Sequence, residues 1–359
     1  MSRRILSTFF LLLCLLAFRS CSPQGRYVRF DGYAQGGVYC VKLNTEGVSV
    51  PADSIKAGVE AILKEIDFTL SGYNKASLLS RLNAGERITP TPMLEEVYLL
   101  SRNFFDLSEG AFDVSCGPLF DVWGFGFTSE SMPSEEKIAK AASRCGMSRL
   151  KSSIIEAAGP DGTLCAADLL LSGGIPGAGE PPILNFNAIA QGYTCDKVAA
   201  YLHSLGVKDM LVDIGEIYCE GLNPMAQPWS IGIDTPTDGN NTPGADMQGV
   251  WHSSGAEGQG VVTSGNYRKF YLDSEGNKFS HTIDPRTRRP VTHALLSATV
   301  IASDAATADA VATWCMVEGP DKALELLGRL GLEGCLICAS PGGGMETLTT
   351  PGFEISTLN

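Results

Sequence analysis

Asp309 and Thr313 stand four residues apart in the run from Ser303 to Thr313. If the run is helical, their carboxylate and hydroxyl share one face. Paired oxygen donors suit Mg²⁺, a hard cation that keeps several waters and readily takes substrate phosphates. The plainer alternative makes Asp304 a helix cap and Asp309 a solvated charge. Ala305, Ala306, Ala308, Ala310 and Ala312 argue for an interior helix, where a lone carboxylate is costly without a cation. Upstream, Thr263-Ser264-Gly265 reads as a small turn, either a phosphate cradle of hydroxyls and N–H groups or a hairpin bend; spacing does not choose. His281 is one of four histidines. Its near-neutral pKa fits a general acid or base, but a lone histidine is more often structural. Asp284-Pro285-Arg286-Thr287 reads as a turn closed by Asp284. Trp123-Gly124-Phe125 lies in a stretch rich in glycine and aromatics, 110–127. That stretch is expected to be a loop approaching a flat ligand, with simple burial as the alternative.

Several chemistries lack their signatures. There is no G-x-S-x-G elbow, no phosphate-binding loop of the G-x-x-x-x-G-K type and no dinucleotide fingerprint in the right context. The net charge of −13 comes without a basic block, so nucleic-acid binding is not expected. An anionic small molecule would need local help from backbone N–H groups or a cation.

Elements must position these residues. With 359 residues and 44 % hydrophobic composition, the chain can build a sizeable core. Helical spacing marks 51–70, 92–108, 135–145, 304–317 and 321–330, with a helix ending near Leu205 and a short one before Asn83. Strands are expected at 32–43, 153–156, 163–171, 183–187, 210–221 (a pair), 229–234 and from Cys335. The segments 172–182 and 236–260, rich in Gly, Pro, Asn and Ser, read as exposed insertions. Strands and helices mix without strict alternation, so the class is α+β, with mixed sheets and packed helices.

The first 21 residues read as a targeting signal. Arg3 and Arg4 precede a short apolar run, 5–18, too short for a permanent membrane span. Ser20-Cys21 resembles a lipoprotein cleavage site, with Cys21 lipidated. Simple secretion and an uncleaved anchor are the alternatives, and all three place the body outside the cytoplasm. Residues 22–32 read as a linker and 33–359 as the folded domain. Of eleven cysteines, the nine beyond Cys14 and Cys21 sit mostly in apolar patterns and read as small buried hydrophobes. Cys335 and Cys338 form a lone C-x-x-C, a structural pair or a zinc or redox site.

Taken together, the segments resemble the ApbE family of FAD:protein FMN transferases. The resemblance runs from about Tyr33 to Val317. It rests on 32–41, 71–83, 112–126, 185–196, 210–221, 263–287 and 304–313, taken in order. It implies an ApbE-like (T-fold-like) architecture and a set of roles. Mg²⁺ would be held by Asp309, Thr313 and the backbone of Ala188. Gln35, Tyr73, Trp123, Gly124, Phe125, Asn185, Gln191, Thr263, Ser264, Gly265 and Ile283 would bind FAD as substrate. His281 would assist proton transfer from a Thr or Ser hydroxyl of an extracytoplasmic electron-transfer partner, and AMP would leave. Asn185 and Gln191 replace the family's usual Asp and Lys, Asp213-Ile214-Gly215-Glu216 lacks its double glycine, and Arg288 stands where the family has Gly. Two other outcomes suit the same residues: an Mg²⁺-dependent FAD pyrophosphatase, and a lipoprotein that only stores FAD. The resemblance places the protein on the periplasmic side, held to the membrane through Cys21.

Overall fold

Residues 27–44 form a hairpin rather than the single strand expected at 32–43. Strands β1 (Tyr27–Ala34) and β2 (Gly37–Asn44) pair in antiparallel register through Ala34 and Gly37. The two turn residues, Gln35 (φ 50°) and Gly36 (φ 83°), both adopt positive φ, which suits a tight hairpin between right-twisting strands. The structure, a computed structural model, describes residues 26–126, 132–171, 179–240, 242–273 and 275–356. The signal, Cys21 and the first part of the linker lie outside the described residues, as does most of the segment expected to be an insertion at 172–182.

The helices between the first two strands and the rest of the sheet are α1 (Ala52–Leu70), α2 (Leu78–Asn83), α3 (Pro92–Leu107), α4 (Gly117–Val122), α5 (Glu135–Ala142), α6 (Ile154–Ala157) and α7 (Ala190–Ser204). Ser77, Thr91, Ser134 and Ser153 each cap one of them through a side-chain oxygen. Three expected strands are absent. Residues 153–156 fall in α6. The stretch 163–171 holds a short 3₁₀ turn between isolated bridges at Leu164 and Leu170. Residues 183–187 make only one bridge, between Ile183 and Cys116. Short apolar runs do not distinguish a strand from a buried turn, and here tertiary packing decides.

The chain then forms β3 (Met210–Asp213), β4 (Ile217–Glu220), β5 (Ser230–Asp234), β6 (Met247–His252) and β7 (Gln259–Gly265). The segment expected to be an exposed insertion at 236–260 therefore carries β6, which pairs with β5. Two small hairpins follow, β8 (Phe270–Leu272) with β9 (Lys278–Ser280), and β10 (Ile283–Asp284) with β11 (Arg289–Pro290). The end comprises β12 (Leu295–Ala302), α8 (Ala305–Glu318), α9 (Pro320–Leu330), β13 (Glu333–Ala339) and β14 (Met345–Thr349).

Eight strands make one sheet in the order β1-β2-β3-β4-β7-β12-β13-β14, with antiparallel neighbours throughout. One face buries Val262, Ala298 and Val300 against α8 and the helical layer. The other buries Val261, Ile301 and Cys335 against Trp229, Ile231 and Trp251 of the β5–β6 unit. The α+β class is thus an antiparallel sheet with helices on one side. Cys335 and Cys338 belong to opposite faces of β13, in different cores, so they form no zinc or redox pair. Among the described residues no helix is long and apolar enough to cross a membrane.

Candidate active site

Helix α8 brings its carboxylate to the sheet because small residues let it come close. A Cβ on Gly260 of β7 would lie 2.5 Å from Ala305 backbone, and one on Gly192 of α7 would lie 2.2 Å from the Ala305 carbonyl. The start of α8 is fixed by Asp196 of α7, whose carboxylate accepts from the N–H groups of Ala305 (2.7 Å) and Ala306 (2.8 Å). Asp304 caps the same turn by accepting from Thr307 N–H at 2.8 Å. Asp309 is consequently buried, 4 % exposed. Both halves of the reading of Asp304 and Asp309 are resolved: the first is a cap, the second is inside.

The site is a cavity of about 1030 Å³. Asp309, Thr313 and Ala188 all line it, as do Ser264, Thr263 and Gly265. Asp309 Oδ2 accepts from Gly192 N–H at 3.0 Å. Gly192 is the third residue of α7, in the first turn, where backbone N–H groups have no partner within the helix, and Asp309 supplies one. Thr313 and Ser264 hydroxyls lie 3.3 Å apart. Thr263-Ser264-Gly265 is not a turn but the end of β7, paired with β12. Alternation along the strand sends Ser264 toward α8, while the Thr263 hydroxyl meets that of Thr299 at 2.8 Å on the other face.

Glu216 is a second carboxylate on the cavity wall, beyond the residues expected from sequence. It accepts weakly from Thr263 N–H, at 3.3 Å. Burial and then the neighbouring Asp309 push its pKa well above the ordinary value. Burial likewise raises Asp309 to about 7, with Asp196 adding to the shift. Among the described residues neither carboxylate forms an ion pair with Lys or Arg. The absence of a double glycine at 213–216 was the one sequence signal that this strand end differs.

Among the described residues no group of three or more His, Cys, Asp and Glu side chains could hold a metal ion. A thiolate- or imidazole-rich centre is therefore not built here. What exists is a buried carboxylate without a cationic partner, hydroxyls and the backbone of Ala188. All are oxygen donors, few in number, facing a cavity with room for an anionic ligand, and they fit a cation that fills its shell with water and phosphate.

His281 lines the same cavity and packs edge-on against Phe125, with centroids 6.4 Å apart. Its Nδ1 lies 3.2 Å from the Lys269 carbonyl. A carbonyl only accepts, so Nδ1 carries the proton and Nε2 is the free acceptor. Burial first, and the Lys269 charge second, depress its pKa to about 4.

The remaining expected residues divide. Gln35, Tyr73, Asn185, Gln191 and Ile283 line the cavity. Gln35 Nε2 donates to Thr194 Oγ1 at 2.5 Å, tying the first hairpin to α7. Gln191 Nε2 donates to the Ile214 carbonyl at 3.1 Å. Asn185 Oδ1 accepts from Asn187 N–H at 2.9 Å and shapes the turn before Ala188. Trp123, Gly124 and Phe125 are placed elsewhere. The loop expected at 110–127 contains α4, and Trp123 and Phe125 are buried beyond it. Trp123 stacks on Phe279 and Phe125 on Tyr271, while Trp123 Nε1 donates to the Arg288 carbonyl at 2.9 Å. Stacking among themselves buries these rings fully, so Phe120 and Gly117, one turn earlier, face the cavity instead. Phe125 still bears on the site, as the ring against which His281 rests.

The ApbE family model matches residues 36–336. The chain is 31 % identical to the FAD:protein FMN transferase of Klebsiella pneumoniae, over 95 % of this chain and 92 % of that one. It is 30 % identical to the Haemophilus influenzae protein of the same name, over 95 % of each. Among solved structures, the apo flavinyl transferase of Pseudomonas stutzeri superposes with a TM-score of 0.75 at 32 % identity, covering 91 % of this chain and 95 % of that one. The flavin transferase of Vibrio cholerae gives 0.71 at 26 %, covering 91 % and 98 %. With a family match across most of its length and relatives at 30 % identity or more along nearly all of it, this chain belongs to the ApbE family.

Proposed function

We propose that the protein transfers FMN from FAD to a Thr or Ser hydroxyl of another protein and releases AMP, with Mg²⁺ bound at Asp309, Thr313 and the Ala188 carbonyl. The observation that carries this reading is the meeting of Asp309, Thr313, Ser264 and Ala188 on the lining of one cavity of about 1030 Å³ that His281 also lines. The family's curated relatives bear the name of this activity.

The reaction forms a bond from the acceptor oxygen to the FMN phosphorus and breaks the bond from that phosphorus to the bridging pyrophosphate oxygen. Nε2 of His281 takes the hydroxyl proton, since Nδ1 is committed to Lys269. Mg²⁺, when bound, neutralises pyrophosphate charge and aligns it. Tyr73, at the cavity edge, is suited to the isoalloxazine ring; Asn185 and Gln191, on the α7 side, to the adenosine half. Placement outside the cytoplasm, with a lipid on Cys21 and an electron-transfer subunit as acceptor, belongs to the same reading and rests on the amino-terminal signal.

The test is a denaturing gel of the mature chain with FAD, Mg²⁺ and a candidate acceptor domain. A fluorescent acceptor band that disappears with EDTA is the expected result. Free FMN and AMP with dark bands for every acceptor tried would replace transfer by pyrophosphate hydrolysis. Intact FAD would reduce the protein to a flavin binder.

A further inference from the structure

Cys116 and Cys145 lie far apart in sequence but next to each other in space. Cys116 is the residue that opens α4, and Cys145 follows the end of α5. Their chain neighbours are locked together: the Gly146 N–H donates to Ser115 Oγ at 2.7 Å. Both cysteines pack on the cluster formed by Leu119, Trp123, Phe125 and Ile138, and the Cys145 thiol donates to the Ala141 carbonyl at 3.4 Å. Both are free thiols, partly exposed, and Cys116 lines the cavity. Among the described residues the other cysteines are dispersed; even the C-x-x-C pair is split between two cores.

We propose that Cys116 and Cys145 are a site of reversible covalent modification, closing to a disulfide by exchange with a small-molecule disulfide. The linkage joins the start of α4 to the end of α5 and fixes the helix whose Gly117 and Phe120 line the cavity. The exchange balances as follows. The Cys145 thiolate attacks one sulfur of the oxidant, forms a mixed disulfide and releases one small thiol. The Cys116 thiolate then displaces the second small thiol from Cys145. The protein loses two protons and two electrons, and the oxidant gains them as two thiols. The order follows from the surroundings of Cys116. The neighbouring Cys145 thiol, burial and the Asp113 carboxylate hold its thiol well above the usual range, so it acts second. This site is independent of the FMN-transfer reading.

The experiment incubates the full chain with oxidised glutathione, or with dithiothreitol as control, then alkylates free thiols and maps peptides without reduction. The expected result is one reductant-sensitive cross-link between the peptides of Cys116 and Cys145, with the remaining described cysteines alkylated. The thermal midpoint of the oxidised protein should rise above that of the reduced one, a rise that Cys145→Ala abolishes. Separate alkylation of both thiols, a persistent glutathione adduct on either, or linkage to a different cysteine would each overturn the proposal. Mapping is done on the unaltered chain, so it stands even where a variant folds poorly.

Discussion

A histidine that must take a proton at neutral pH works only if it is unprotonated there, and the surroundings of His281 secure this. Burial and the Lys269 charge lower its pKa to about 4, and the Lys269 carbonyl fixes the tautomer. Ordinary histidines titrate near 6.5. Between those values the unfolded chain binds the extra proton and the folded one does not, so this residue's contribution to stability grows as pH rises from about 4 to about 6.5. The expected NMR outcome is that the His281 ring signals stay fixed from about pH 8 down to about pH 5. Lys269→Met should move the midpoint upward without restoring it fully, because burial remains the larger cause. A wild-type midpoint near 6.5 would remove His281 as the neutral acceptor. Replacing it with Ala should slow transfer by about 10²–10⁴-fold. Its residue type was legible as acid–base chemistry from sequence. The ring behind it was not: Phe125 looked like a ligand contact because aromatics near glycines fit either a clamp or a core.

At the scale of elements, the site depends on how closely α8 lies on β7 and α7. Gly260 and Gly192 face Ala305, and neither contact has room for a methyl group. Gly260→Ala should cost about 1–3 kcal/mol in chemical denaturation and displace Asp309, lowering activity together with stability. Unchanged stability would mean that the helix gives way without consequence. Asp196 sets the other end of the same contact. Burial raises its pKa to about 7, with Asp304 adding, while the Ala305 and Ala306 N–H groups pull the other way. Between about pH 4 and about pH 7 the folded state therefore holds a proton that the unfolded state has released. The contribution of Asp196 to the stability of the metal-free protein should fall as pH rises through that window, opposite in sign to that of His281, and Asp196→Asn should shift the slope upward in urea titrations at several pH values. An unaltered slope would reassign it to another group. The long helices around the site were legible because their apolar spacing persists over several turns. Residues 153–156 and 183–187 were not, since segments of four or five residues with two or three apolar side chains suit a strand or a buried turn equally.

The whole molecule brings two stretches of the chain to one cavity. The chain between β2 and β3 supplies Tyr73, Asn185, Ala188 and Gln191, and the chain after β4 supplies Ser264, His281, Asp309 and Thr313. That division explains what sequence could and could not convey. Ordered motifs carried the residue set, because each is local. Their convergence depends on an antiparallel sheet whose middle strands, β4, β7 and β12, come from separated segments, and pairing of that kind leaves no local trace. Ligand that binds only the folded, converged form must stabilise the whole molecule. At about 100 times its dissociation constant, such a ligand adds about 2.7 kcal/mol. Mg²⁺ added to the FAD-bound protein should therefore raise the thermal midpoint by several degrees. The Asp309→Ala chain should fold, as judged by circular dichroism, keep its midpoint shift with FAD alone and lose the further shift with Mg²⁺. It should also be inactive in transfer. If the variant retained the Mg²⁺-dependent shift, the cation would sit elsewhere in the cavity, and the carboxylate of Glu216 would be the next donor to replace.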